Sequence, residues 1–183
     1  GDILTSLTDI IDNVVRTNYF SSDDCISIKI NSSDIKFIVK PAPLHEIFVY
    51  HAHFEGVHLR GGSISRGGIR WSNRQDDFRT EVWGLWKTQT LKNTIIVPTG
   101  AKGGFVLKYI PNNLSNAIVM YKRFIHALIG LTDNLVHNRP AKRRHIPVLD
   151  DDDPYLVVAA DKGTSSFSDY ANEISLKENY WLG

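Results

Sequence analysis

The 183-residue sequence has one cysteine, Cys25, and one methionine, Met120. A lone cysteine excludes an intramolecular disulfide framework and fits a reducing compartment. No apolar run approaches the ~18 residues that suggest a membrane-spanning helix, and no basic-then-apolar leader opens the chain. The expectation is therefore a cytoplasmic protein with no membrane partner. Basic and acidic residues number 21 and 20, a formal net charge of +1, which leaves no global field to attract nucleic acid or other polyanions. Neither the Gly-x-Gly-x-x-Gly fingerprint nor a Walker lysine motif occurs, so no cofactor-binding residue is assigned within this chain. The sequence has no internal repeat and no low-complexity segment. It starts at Gly1 rather than methionine and stops at Trp181-Leu182-Gly183, just after a helical pattern, and both ends read as cuts in a longer polypeptide.

What is present suffices to bury roughly 70% of the unfolded surface around a single core. Residues 2–16 carry Ile3, Leu7, Ile10 or Ile11, and Val14 at helical spacing, which predicts an amphipathic helix packed on the core. Cys25–Ile30 and Asp34–Lys40 read as a hairpin turning at Asn31-Ser32-Ser33. Glu46–Leu59 reads as one long strand interrupted near Gly56. Residues 60–70, with two Gly-Gly pairs beside arginines, read as an anion-binding loop. Ser72 and Gln75 suggest a capping box for a helix from about 73 to 92. A strand at Ile95–Val97 then leads into a loop, residues 98–104, that presents Lys102 among glycines. Phe105–Tyr109 is another strand, Asn113–Asn138 a long structural helix, Tyr155–Ala160 a short strand, and a last helix begins near Ser168. Strands alternating with helices indicate an α/β protein, a three-layer α/β/α sandwich on a mixed, largely parallel sheet. Residues 1–45 are expected to form a helix and hairpin region packing on a main domain, 46–183.

Candidate chemistry is concentrated in a few places. Lys102 is either an amine that desolvation and cationic neighbours make available as a base or nucleophile, or a surface lysine in a glycine turn. Asp161, at a strand end, is either its partner carboxylate or a turn cap. Arg66, Gln89 and Lys92 form either a carboxylate clamp or an ordinary charged helix end. His51, His53 and Glu55 alternate along one strand face with His58 nearby, but no second cluster has convincing metal-ligand spacing, and no metal site is assigned. Asp150–Asp153 reads as a solvated loop, and Met120, Trp83 and Trp86 as core or interface side chains.

Several stretches in the same order carry a family resemblance: Glu55-Gly56-Val57-His58-Leu59-Arg60-Gly61-Gly62, Arg66-Gly67-Gly68-Ile69-Arg70-Trp71-Ser72, Asp77-Phe78-Arg79-Thr80-Glu81-Val82, residues 98–104, and Asp153-Pro154-Tyr155-Leu156-Val157-Val158-Ala159-Ala160-Asp161-Lys162-Gly163-Thr164. From about Glu46 onward the chain resembles the substrate domain of the large, NAD-specific bacterial glutamate dehydrogenases. The resemblance implies Lys102 and Asp161 as catalytic residues, with Gln89 and Lys92 on the substrate α-carboxylate. It places Arg66, beside Gly67 and Gly68, toward the distal carboxylate, where the smaller enzymes of this activity carry a lysine. It also implies the substrates L-glutamate, 2-oxoglutarate and ammonium, a homo-oligomeric full-length enzyme, and NAD bound mainly by a Rossmann-type domain that this chain lacks. The fragment is expected to be inactive alone. Two other functions are set beside this one: a non-catalytic remnant of the fold, and a phosphate-binding module built on the glycine-arginine loops.

Overall fold

The computed structural model of the protein describes residues 2–92 and 96–182. The elements run α1 (Ile3–Asp12), β1 (Val14–Thr17), β2 (Ile26–Asn31), β3 (His45–His51), β4 (Phe54–Arg60), β5 (Ser65–Trp71), α2 (Phe78–Lys92), β6 (Thr99–Leu107), α3 (Leu114–Leu131), β7 (Asn134–Val136), β8 (Arg139–Ala141), β9 (Val157–Ala160) and α4 (Ser168–Lys177). One seven-stranded sheet has the order β1-β2-β3-β4-β6-β5-β9, and β7-β8 form a separate ribbon. Apolar residues at alternate positions face opposite layers. Ile47, Val49, Phe54, Phe105 and Leu107 meet α3 and α4, while Val57, Leu59 and Val106 meet Phe78, Val82 and Trp86 of α2. The expected mixed α/β sandwich is therefore present. Its parallel part is confined to β5–β6 and β5–β9, and the other four pairings are antiparallel; between β3 and β4 a connection as short as Ala52-His53 permits no other pairing.

Several local expectations change. Helix α1 ends at Asp12 and has no buried residue; Ile3, Leu4, Leu7 and Ile11 are exposed, so it does not pack on the core as expected. Asp34–Lys40 is no strand. The partners of β2 are β1 and β3, and the 34–40 segment is held by Ile35 in the core and by the Lys36 amide donating to Asp9. The Glu46–Leu59 run folds back at Ala52-His53, which also takes His51 and His53 off any common strand face. Gly56 is not the break: a Cβ there would lie 2.7 Å from the Phe124 ring, so glycine is what admits that ring against β4. The long helix stops at Leu131, and Leu135 belongs to β7; His137 and Asn138 turn the β7–β8 ribbon with φ of 51° and 60°.

The two stretches read as glycine loops are mostly strands. Residues 65–71 form β5 and residues 99–107 form β6, side by side. The glycines there remove side chains where backbones meet, rather than supplying turns. A Cβ on Gly67 would sit 1.6 Å from the Ala101 carbonyl oxygen. In the Ile95–Val97 segment, Ile95 lies outside the described residues, and Ile96 and Val97 are not in a strand. The expected capping box is absent too: Ser72 Oγ accepts from the Arg74 amide, Gln75 donates to the Leu107 carbonyl, and the helix starts only at Phe78.

Asp150–Asp153 is not simply a solvated loop. Arg16 pairs with Asp133 and Asp150, Lys29 with Asp150 and Asp153, and Arg60 with Asp153, all three cations being almost fully buried. Burial alone would push the Asp153 carboxyl up, but Arg60 and Lys29 hold it below its ordinary value. These pairs tie β1, β2 and β4 to the segment that leads into β9. Removing one member of such a network leaves charges buried and unpaired, a loss of about 3–5 kcal/mol in typical cases.

Two histidines border this network. Burial first, then Lys29 and Arg60, push His45 down to about 4; burial first, then Arg60, push His58 down to about 3. Unfolded imidazoles titrate near ~6.5, so below that pH the unfolded chain binds more protons than the folded one. Stability is expected to decline as pH falls from about 6.5 toward 4, by up to about 1.4 kcal/mol per pH unit for each imidazole. Urea unfolding of wild type and His58→Leu at a series of pH values checks this. The variant should show the shallower slope; equal slopes would contradict the assignment.

Candidate active site

The site lies on the face of β6, β5 and β9 that α2 covers. Register builds it in rows: Gly100 beside Arg66 beside Val157, and further along Gly104 beside Arg70, with Gly68 beside Ala159. Since side chains alternate along a strand, Lys102 shares its face with Gly100 and Gly104, and therefore with Arg66, Gly68 and Arg70. Lys102 Nζ donates to Asp161 Oδ2 at 3.0 Å, and both side chains are largely buried, 20% and 15% exposed. Glycine at position 68 permits this approach: a Cβ there would lie 2.8 Å from the Ala160 carbonyl and 2.9 Å from Asp161 Cβ.

Asp161 follows β9 directly and is fixed by its own turn. Its amide donates to Thr164 Oγ1 at 3.1 Å, and the same hydroxyl donates to the Ile69 carbonyl at 2.6 Å, tying the turn to β5. The carboxylate accepts the Lys162 amide at 2.7 Å and Arg70 Nη2 at 3.2 Å, both on Oδ1. Burial alone would raise this carboxyl; the bonds from the Lys162 amide, Lys102 and Arg70 hold it below the ordinary carboxylate value. The charged partner of Lys102 is thus the carboxylate that one sequence reading offered, not the cationic neighbours also expected there.

Gln89, on α2, packs against Gly100, its amide nitrogen 3.2 Å from where a Cβ would stand, and its Oε1 is buried with no partner among the described residues. Helix α2 is seated by Trp86 Nε1, which donates to the Gly100 carbonyl at 3.1 Å. Lys92, three residues beyond Gln89, is exposed at the helix end, and Arg66 is exposed on β5. The structure thus brings Lys102, Asp161, Gln89, Gly68 and Arg66 to one face. Gly67 takes part in the sheet contact with Ala101 and faces the other way.

Three side chains at the site were not read as site residues in the sequence: Arg70, Glu81, and Ser72, which was read as a helix cap. Arg70 Nη1 donates to Glu81 Oε1 at 2.8 Å, and Ser72 Oγ donates to Glu81 Oε2 at 2.5 Å. The spacing 66, 68, 70 on one strand face was the available signal, hidden because the segment read as a loop.

The sequence profile described as "Bacterial NAD-glutamate dehydrogenase, catalytic domain" matches residues 1–183. The chain belongs to this family. It is 48% identical over 193 aligned positions to the NAD-specific glutamate dehydrogenase of Halomonas elongata, and 47% identical over 193 to that of Pseudomonas aeruginosa, with 99% of this chain covered in each. The NAD-specific glutamate dehydrogenase of Saccharomyces cerevisiae is 29% identical over 181 positions, covering 92% of the chain. The chain spans 12% of the length of the two bacterial relatives. The match takes in residues 1–45, which carried none of the motifs.

NAD fits poorly to the residues present. A dinucleotide is held where a glycine-rich turn opens onto a helix N-terminus, whereas Gly103 and Gly104 lie inside β6, paired to β4 and β5, and Gly100 of β6 pairs with Arg66 of β5.

Gly68→Ala tests the site geometry. Backbone stands in the way, so the variant is expected to lose about 1–3 kcal/mol and to displace Asp161 from Lys102. Urea unfolding and a structure of the variant measure both effects; an unchanged 3.0 Å pair would contradict this account.

Proposed function

We propose that this chain supplies the substrate-binding and proton-transfer side chains for NAD-dependent oxidative deamination of L-glutamate. The overall reaction is L-glutamate, NAD⁺ and water giving 2-oxoglutarate, ammonium, NADH and a proton. The observation that carries the reading is the Lys102–Asp161 pair at 3.0 Å, on the sheet face shared with Arg66 and Gln89, in a chain of this family. Gln89 and Lys92 hold the α-carboxylate, and Arg66, beside Gly67 and Gly68, takes the distal carboxylate through its guanidinium fork. Asp161, held ionised, accepts and returns protons at the substrate nitrogen. Lys102 helps water attack the carbon that bears that nitrogen once it is at the imine level. Contact between the two side chains lets a proton pass from one to the other without bulk solvent. The dinucleotide is bound by another part of a longer polypeptide, because the glycines here are committed to the sheet.

A phosphate-binding module has less support, since the glycine-arginine stretches spend their backbone amides on β5 and β6.

In a longer polypeptide carrying this segment, Lys102→Met is expected to lower kcat for glutamate oxidation by about 10²–10⁴. Lys92→Ala is expected to weaken 2-oxoglutarate binding, measured by calorimetry, roughly tenfold or more, and the isolated 183-residue chain to show no NAD-dependent turnover. Near-normal kcat in Lys102→Met would overturn the proposal.

A further inference from the structure

Asp161 has two oxygens, and they are treated differently. Among the described residues Oδ1 accepts two donors, the Lys162 amide at 2.7 Å and Arg70 Nη2 at 3.2 Å, while Oδ2 meets only Lys102 Nζ at 3.0 Å. An arginine beside a carboxylate ordinarily forks onto both oxygens. Arg70 does not: Nη1 is taken by Glu81 Oε1 at 2.8 Å, which closes the end-on fork, and Nε is buried with no partner among the described residues, so Nη2 alone reaches Asp161. Glu81 is itself fixed through Ser72 at 2.5 Å, and α2 is seated one residue later, where Val82 fills the space that a Cβ on Gly104 would need. Helix position is thereby passed through Glu81 and Arg70 to one oxygen of Asp161.

We infer that Arg70 is a positioning residue, held to a single contact with Asp161 by Glu81, so that Oδ1 is occupied and Oδ2 is left as the oxygen that exchanges protons at the site. The inference rests on the function proposed above and adds to it a reason for the Arg70–Glu81 pair, whose hydrogen bonds among the described residues go to Asp161 and Ser72. Freed from Glu81, the guanidinium would rotate onto both oxygens of Asp161 and compete with Lys102 for Oδ2. Without Arg70, Asp161 would lose one of the three donors that keep it ionised. The two changes therefore act on Asp161 in opposite directions. The charged groups that bear on this carboxylate are Lys102 from β6 and Arg70 from β5, with Glu81 from α2 acting through Arg70 and Arg74 near Glu81 in the turn before the helix. Lys162 acts through its backbone amide.

The test uses a longer polypeptide carrying this segment, assayed for NAD-dependent glutamate oxidation across pH, with wild type, Arg70→Met, Arg70→Lys, Glu81→Ala and Lys102→Met. Arg70→Met is expected to lower kcat on the order of ten- to a hundredfold, to leave KM for glutamate within about threefold, and to move the acidic limb of kcat/KM to higher pH. Glu81→Ala should lower kcat as well but move that limb to lower pH, and Arg70→Lys should restore most of the limb position without restoring kcat. Limbs that stay in place in both Arg70→Met and Glu81→Ala, or that move the same way, overturn the inference. Should Arg70→Met fail to fold by circular dichroism, Arg70→Lys and Glu81→Ala decide the question. A Lys102→Met variant that keeps its activity would instead overturn the underlying function, whatever Arg70 does.

Discussion

The close approach of β6, β5 and β9 is the constraint on which the rest of the site depends. Two strands can carry a lysine and an aspartate on one face without those groups meeting, because the strand between them holds side chains in the way. Here the intervening strand offers Gly68. Its missing Cβ lets Asp161 lie against β5 and lets the Lys102 amine cross to reach it. Gly67 serves the same strands on the opposite face, where the Ala101 carbonyl leaves no space for any side chain. Parallel pairing matters as well. It puts the carboxyl end of β9 beside that of β5, so the residue just after β9 lands next to Arg70, in the kind of position where α/β sheets place ligands and reactive groups.

The far side of the molecule holds this arrangement in place. The sheet's antiparallel half and the segment before β9 are joined by Arg16, Lys29 and Arg60 against Asp133, Asp150 and Asp153. Three cations and three carboxylates are balanced in charge, which is what allows them to be buried at all. Hydrophobic packing supplies the bulk of the stability. The ion pairs fix where the chain runs between α3 and β9, and therefore where Asp161 ends up.

Much of this was legible in the sequence, and what was not has physical reasons. Lys102 and Asp161 could be singled out because small neighbours and a strand end are local features. Their meeting could be raised only as one of two readings, since it depends on register between residues 59 apart in the chain. Glycine misled most. Gly67, Gly68, Gly100, Gly103 and Gly104 suggest loops on local propensity, yet here glycine marks close backbone approach inside a sheet. That one misreading hid Arg70 and Glu81, whose roles appear only once residues 66, 68 and 70 are placed on one strand face. The buried ion network was missed for a related reason: Asp150 to Asp153 is a hydrophilic run by composition, and only the tertiary fold brings Lys29 and Arg60 over it. Helix α1 erred in the other direction, its apolar stripe being real but not covered by the described core.

The central claim is that the Lys102–Asp161 pair faces the reacting carbon and nitrogen of an amino acid substrate. A crystal structure of a longer polypeptide carrying this segment, with 2-oxoglutarate bound, tests it most directly. The account predicts the ligand's carbonyl carbon beside Lys102 Nζ and Asp161 Oδ2, one carboxylate on Gln89 and Lys92, and the other toward Arg66. Ligand density away from this face, with Lys102 and Asp161 still paired only to each other, would contradict it.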